Sequence, residues 1–127
     1  MSLMAAVVRL DHVQLAMPPG REDEAEAFYQ GLLGIPRVPK PVPLAARGGA
    51  WFEDGRGLRV HLGVEEDFRP ARKAHPAFVV EGLEDLLARL DAAGIGFRPG
   101  DDLDGARQVH VDDPFGNRIE LIGPSAG

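Results

Sequence analysis

The sequence contains no cysteine, one tryptophan, one tyrosine and six phenylalanines in 127 residues. Without cysteine there is no disulfide framework, no thiolate nucleophile and no sulfur-ligated zinc, so any metal chemistry must use histidine and carboxylates. Basic residues are also in deficit. Fourteen Lys and Arg against twenty Asp and Glu leave a net charge of −6, the wrong sign for a generic phosphate-backbone binder, and no stripe of aromatic and basic residues offsets it. Long apolar runs are missing too. The longest, Met4 to Val8, has five residues, against roughly 20 for a bilayer span and roughly 7–15 for the core of a signal peptide. The expectation is a cytoplasmic protein that partners neither nucleic acid nor membrane.

What is present fits a single domain over 1–127, since the chain is shorter than the roughly 150 residues typical of one domain. A domain of this size buries about two thirds of its unfolded surface and needs no metal staple. A bound metal would therefore be functional rather than structural.

Two segments carry helical periodicity. Ala25, Phe28, Tyr29, Leu32 and Leu33 follow an acidic turn and precede Gly34, which predicts a helix over about 22–33. Leu83, Leu86, Leu87 and Leu90 repeat the pattern before Gly94 and predict a second over about 83–93. Each helix follows a strand-like segment that begins with histidine, His12 to Met17 and His75 to Val80, and further strand-like runs close each half: Ala50–Glu53 and Leu58–Val64, then Ala106–Asp112 and Asn117–Ile122. The chain thus repeats itself with an offset of about sixty residues, and each half reads βαβββ: module one over about 7–64, module two over about 74–123. The expected class is α+β, with the two modules forming a curved mixed sheet and helices on its convex face. Four prolines between Pro36 and Ala46 place that connection at a sheet edge or in a surface loop, and the charged stretch Glu65 to Lys73 links the halves.

Alternate residues of a strand face opposite ways. Sorted by parity, one face is apolar throughout (Val13, Leu15, Met17; Val60, Leu62; Val109, Val111; Ile119, Leu121) and must pack under the helices. The other collects His12, Gln14, Arg59, His61, His75, His110, Arg118 and Glu120, which includes all four histidines of the chain. Taken singly, each histidine reads as an ordinary surface residue. On one polar face they form a candidate ligand set, since neutral imidazole and carboxylate oxygen suit Zn²⁺, Fe²⁺, Mn²⁺, Co²⁺ or Ni²⁺. His12 and His75 are 63 residues apart and His61 and Glu120 are 59 apart, so these candidates occupy equivalent places in the two halves. Pseudo-twofold symmetry would bring all four to one point. Arg59 and Arg118 could hold an anionic group of a substrate, or pair internally with acidic neighbours.

The paired modules, the histidine opening each first strand, and the closing Asp113-Pro114-Phe115-Gly116-Asn117-Arg118-Ile119-Glu120-Leu121 resemble the vicinal oxygen chelate superfamily. That group includes glyoxalase I, fosfomycin-resistance enzymes, methylmalonyl-CoA epimerase, extradiol dioxygenases and bleomycin-resistance proteins. By this resemblance His12, His75 and Glu120 match the recurring metal triad. His61 falls at the fourth ligand position, where glyoxalase I has a glutamate, and the departure leaves Glu120 as the only ligand carboxylate. His110 stands ten residues before Glu120, where extradiol enzymes of the superfamily carry an active-site tyrosine, and could act as acid or base.

Two functions follow as expectations. One is a metal-dependent enzyme, with catalytic Glu120 and His110, ligands His12, His61, His75 and Glu120, and substrate contacts from Arg59, Arg118 and Gln14. It chelates vicinal oxygens of a small molecule, more in the manner of an isomerase or lyase than of a dioxygenase. The other is a drug- or antibiotic-binding resistance protein without catalysis, which the filled ligand positions and the scarcity of aromatics count against. A homodimer is expected, and if the modules pair between chains, His12 and His61 of one subunit face His75 and Glu120 of the other.

Overall fold

The computed structural model describes residues 4–101 and 105–124. In chain order the elements are β1 (Val13–Met17), α1 (Glu22–Glu26, continuing as a π-helix over Ala27–Leu32), β2 (Arg37–Val38), α2 (Val42–Ala45), β3 (Ala50–Glu53), β4 (Arg59–Val64), β5 (Ala77–Val79), α3 (Leu83–Ala92), β6 (Arg98–Pro99), β7 (Ala106–Asp112) and β8 (Arg118–Pro124). They form two four-stranded mixed sheets, ordered β1-β4-β3-β2 and β5-β8-β7-β6. In each, the module's first strand pairs parallel with its last and the other pairs are antiparallel. The α+β class and the doubled module are as read from the sequence. The sheet differs in one respect: each module closes a sheet of its own. β1 and β5 are the edge strands that bound the seam between the two, and two cavities there are lined by residues from both β1 and the β5 segment.

Strand alternation buries the apolar face. Met17, Ala50, Phe52, Val60, Leu62, Val109, Val111, Ile119 and Leu121 join Ala25, Phe28 and Tyr29 of α1 and the four leucines of α3 in one buried cluster. Each large side chain removed from water there contributes roughly 1.5–3 kcal/mol. The cluster spans both modules, so neither half carries a core independent of the other.

The first helix departs from the regular amphipathic α-helix predicted over 22–33. After Glu26 its turns widen, with the Leu33 amide donating to Phe28 O at 2.9 Å, five residues back. The widening reduces the angle between successive side chains, so that the neighbours Phe28 and Tyr29 both reach the core, ring edge against ring face at 5.0 Å. α3 runs close to its predicted span, from Gly82 to Ala93 at its caps. The proline-rich connection supplies the edge strand β2 and the single turn of α2.

The Asp113–Asn117 hairpin ties the halves together. Buried Asp113 accepts bonds from the Phe115 and Asn117 amides, from Asn117 Nδ2 and from the Tyr29 hydroxyl at 2.7–2.9 Å. Asn117 Nδ2 also donates to Ala16 O at 2.8 Å. Burial, and then the neighbouring Asp113 carboxylate, push the Tyr29 phenol well above its usual range, so it stays a neutral donor. Asp113→Ala strands several buried donors, each costing about 1–3 kcal/mol. It is expected to lower stability by at least about 3 kcal/mol, and a chemical-denaturation midpoint within error of the parent would refute that.

Candidate metal centre

Backbone register decides which side chains meet. His110 pairs directly with Glu120 across β7 and β8, and Glu120 with Ala77 on β5, just beyond His75. The Glu120 amide donates to Pro76 O at 3.0 Å, holding His75 against β8. His75, His110 and Glu120 each offer a ligand atom, and these atoms lie within 4.8 Å of one another. His75 Nε2 is 2.8 Å and His110 Nε2 3.6 Å from Glu120 Oε1. All three side chains are partly buried.

The ring of His75 is held at both nitrogens. Nδ1 is 2.7 Å from Lys73 O and Nε2 faces the Glu120 carboxylate. Both partners are acceptors, so the ring is best satisfied as an imidazolium, and the Lys73 carbonyl first, then Glu120, raise the His75 pKa above the ordinary imidazole value. A divalent cation between Nε2 and Glu120 would answer the same two groups in place of that proton, with the Lys73 carbonyl keeping the tautomer that presents Nε2. The donor set fits such an ion.

His12 is arranged in the same way on the other module. Its Nδ1 is 3.0 Å from Asp11 Oδ2, a contact that holds the Asp11 carboxyl below its usual range, and its Nε2 has no hydrogen-bond partner among the described residues. His61 is arranged differently. Its Nε2 is committed to Glu53 Oε2 at 2.9 Å, and its buried ring is sandwiched between Trp51, parallel at 3.8 Å, and His12, at 4.5 Å. Within one chain, then, the structure gathers His75, His110 and Glu120 on one sheet, stacks His12 on His61 on the other, and does not bring the four sequence-chosen ligands to one point.

The remaining candidates divide. Arg59 turns to its own acidic neighbours, with NH1 3.5 Å from Asp11 Oδ1 and Nε 3.9 Å from Glu53 Oε1. Arg118 donates to Arg72 O at 3.3 Å and has no carboxylate partner among the described residues. With Gln14, Arg69 and His75 it lines a cavity of about 440 Å³ at the seam. Gln14 lies across Gly63, where a Cβ would come within 2.3 Å of its Nε2.

Trp51 and Glu53 lie outside the sequence-derived site, because the run Ala50–Glu53 carries no histidine to mark its polar side. Its own alternation, with Ala50 and Phe52 buried, puts them on the polar side, opposite His61 and Arg59. The signal was available: the 59-residue offset that maps His61 onto Glu120 also maps Trp51 onto His110 and Glu53 onto Asp112.

Comparison with known proteins agrees with this fold. A crystal structure of a protein from Bacillus anthracis assigned to the glyoxalase family superposes with a TM-score of 0.89 at 40% identity, covering 97% of this chain and 100% of that one. The fosfomycin resistance protein FosX from Listeria monocytogenes superposes at 0.73 with 16% identity, covering 94% and 96% of the two chains. The antibiotic binding protein TnmS3 from Streptomyces sp. CB03234 does so at 0.71 with 20% identity, covering 96% and 100%. At these last two identities the likeness is one of fold. No curated protein matches the sequence. The family model that does match spans residues 9–121, nearly the whole of both modules, and the chain belongs to the glyoxalase/bleomycin resistance protein/dioxygenase superfamily.

Proposed function

We propose that this protein is a metal-dependent enzyme that acts on a small molecule through two adjacent oxygens, more in the manner of an isomerase or lyase than of a dioxygenase. The observation that carries the reading is the His75–His110–Glu120 group, whose ligand atoms lie within 4.8 Å of one another beside a cavity of about 440 Å³. His12, His75 and Glu120 hold the ion. The fourth position falls to His61, whose ring gives up Glu53 to take it. When bound, a divalent ion supplies Lewis acidity toward the substrate oxygens. Glu120 and His110 then stand where a proton can be passed, while Gln14 and Arg118 orient the substrate in the seam cavity.

Because His12 and Glu120 stand on different sheets of one chain, we infer that the complete site forms in a homodimer, His12 and His61 of one subunit meeting His75 and Glu120 of the other. Complementation tests this. His12→Ala and Glu120→Gln chains should each lose metal alone. Mixed and refolded together they should regain metal at about a quarter of the sites, because half the dimers are then hybrid and each hybrid keeps one intact centre. No recovery, or a monomeric mass in light scattering at tens of micromolar, would place the centre within one chain.

A non-catalytic binding protein is the second reading, favoured by the seam cavities and by Trp51, which lines a separate recess that shares Gln14 with one of them. Purified protein that contains no metal, and gains none on incubation with Zn²⁺, Mn²⁺, Fe²⁺, Co²⁺ or Ni²⁺, would select it.

A further inference from the structure

Next to the seam cavity lie two more, and Gln14 lines all three. One of about 320 Å³ crosses Gly63 and Glu65, and one of about 260 Å³ sits below α2, lined by Lys40, Leu44, Arg47, Trp51 and Gly63. Together they make a groove from His75 and Arg118 across β1 and β4 to the proline-rich rim. At a strand spacing of roughly 5 Å, Trp51 on β3 is about 10 Å from Gln14 on β1.

The charge along this groove is uneven. Glu65 is the one carboxylate among the lining residues of the three cavities, and the recess below α2 has none. Neither Lys40 nor Arg47 forms an ion pair among the described residues, as is also true of Arg69 and Arg118 in the seam cavity. Lys40 donates to Gly48 O, which fixes its ammonium on the wall and leaves two N–H groups unassigned. The Glu22 carboxylate is not in the lining; its Oε2 lies 4.0 Å from where a Gly48 Cβ would stand, and its Oε1 is buried without a hydrogen-bond partner among the described residues. In a chain of net charge −6, two unpaired cations converging on one concave recess are a local anion site.

We propose that this recess is a subsite for an anionic terminus, a carboxylate or a phosphate held by Lys40 and Arg47, and that the substrate is therefore an elongated molecule with its chelating oxygens at one end of the groove and this terminus at the other. The link to chelating oxygens rests on the metal-centre reading; the anion site itself does not. The recess carries its own reporter, since Trp51 is the only tryptophan in the chain.

The test is a titration of the purified full-length protein in its solution assembly, as isolated and after chelation, with inorganic phosphate and separately with succinate, following tryptophan emission. A saturable change with at least one of the two anions is expected, and which of them acts distinguishes phosphate from carboxylate. Lys40→Ala and Arg47→Ala should each weaken it about tenfold to a hundredfold, the loss of one charge-assisted bond. Arg56→Ala, which removes an equal charge from the exposed β3–β4 turn, should titrate like the parent. No saturable response to either anion, or an unchanged response in both alanine variants, overturns the subsite. Metal content measured on the same variants keeps the two ideas apart: a failed metal centre shows as no metal in any chain, including the parent, and leaves the anion titration readable.

Discussion

Glu120→Gln should weaken metal binding by at least about a hundredfold, beyond the 10–100-fold that loss of an outer-shell partner costs, while His110→Ala keeps its metal. The difference follows from the distances. Glu120 Oε1 is 2.8 Å from His75 Nε2 and 3.6 Å from His110 Nε2, so the carboxylate and His75 already share a point that a cation can occupy. The amide keeps the shape of Glu120 and removes its charge, leaving the ion only imidazoles. His110 stands further off, at a position suited to moving a proton, and its loss should slow turnover by about 10²–10⁴-fold with the ion in place. Elemental analysis of both variants decides the first half before any substrate is known. If His110→Ala loses metal as completely as Glu120→Gln, His110 is itself a ligand, and the fourth position is not that of His61.

Acidification should strip the ion, beginning above the ordinary imidazole pKa of about 6.5. Protons compete with metal for His12 and His75, and the Lys73 carbonyl and Glu120 make His75 hold its proton more tightly than a free imidazole does. Below its raised pKa His75 costs roughly tenfold in apparent affinity per pH unit. The ion-free chain should behave in the opposite sense. A histidine whose pKa is raised by folding contributes stability that is fully present below its unfolded value and is lost as pH rises through the folded one. Thermal midpoints should therefore diverge with pH, the chelated protein losing stability toward alkaline pH where the loaded protein gains it. Stoichiometric metal retained at pH 4.5 would show that the ligands are carboxylates elsewhere.

The doubled module was legible because both periodicities it depends on are local. The leucines of α3 and the alternation of β4 and β8 need only their own neighbours in sequence, and the offset near sixty residues exposed the repeat. Assignment of the four histidines to a polar face was available for the same reason. Their division was not. Parity says which face a side chain is on, and His12 and His75 share that property while standing on separate sheets, a fact set by which strands pair. The π-helical widening of α1 was hidden as well, because Phe28 and Tyr29 fit a regular helical spacing and only packing on the sheet makes both bury. Pairing also explains His61. Nothing near it in sequence shows Glu53 at its Nε2 or Trp51 on its ring, since both reach it through the register of β3 on β4.

The hairpin at Asp113 has a further meaning for the order in which the molecule can be made. Its bonds to Tyr29 and Ala16 bridge 84 and 101 positions of chain, and contacts of such separation close late and slow the search. During synthesis module one leaves the ribosome long before its partners at positions 113 and 117 exist. Until they arrive the Tyr29 hydroxyl lacks its acceptor and the first sheet lacks half of the cluster that covers it. The nascent half is thus held open and exposed to misassociation until the last strands are translated. A truncation before Asp113 would keep it there.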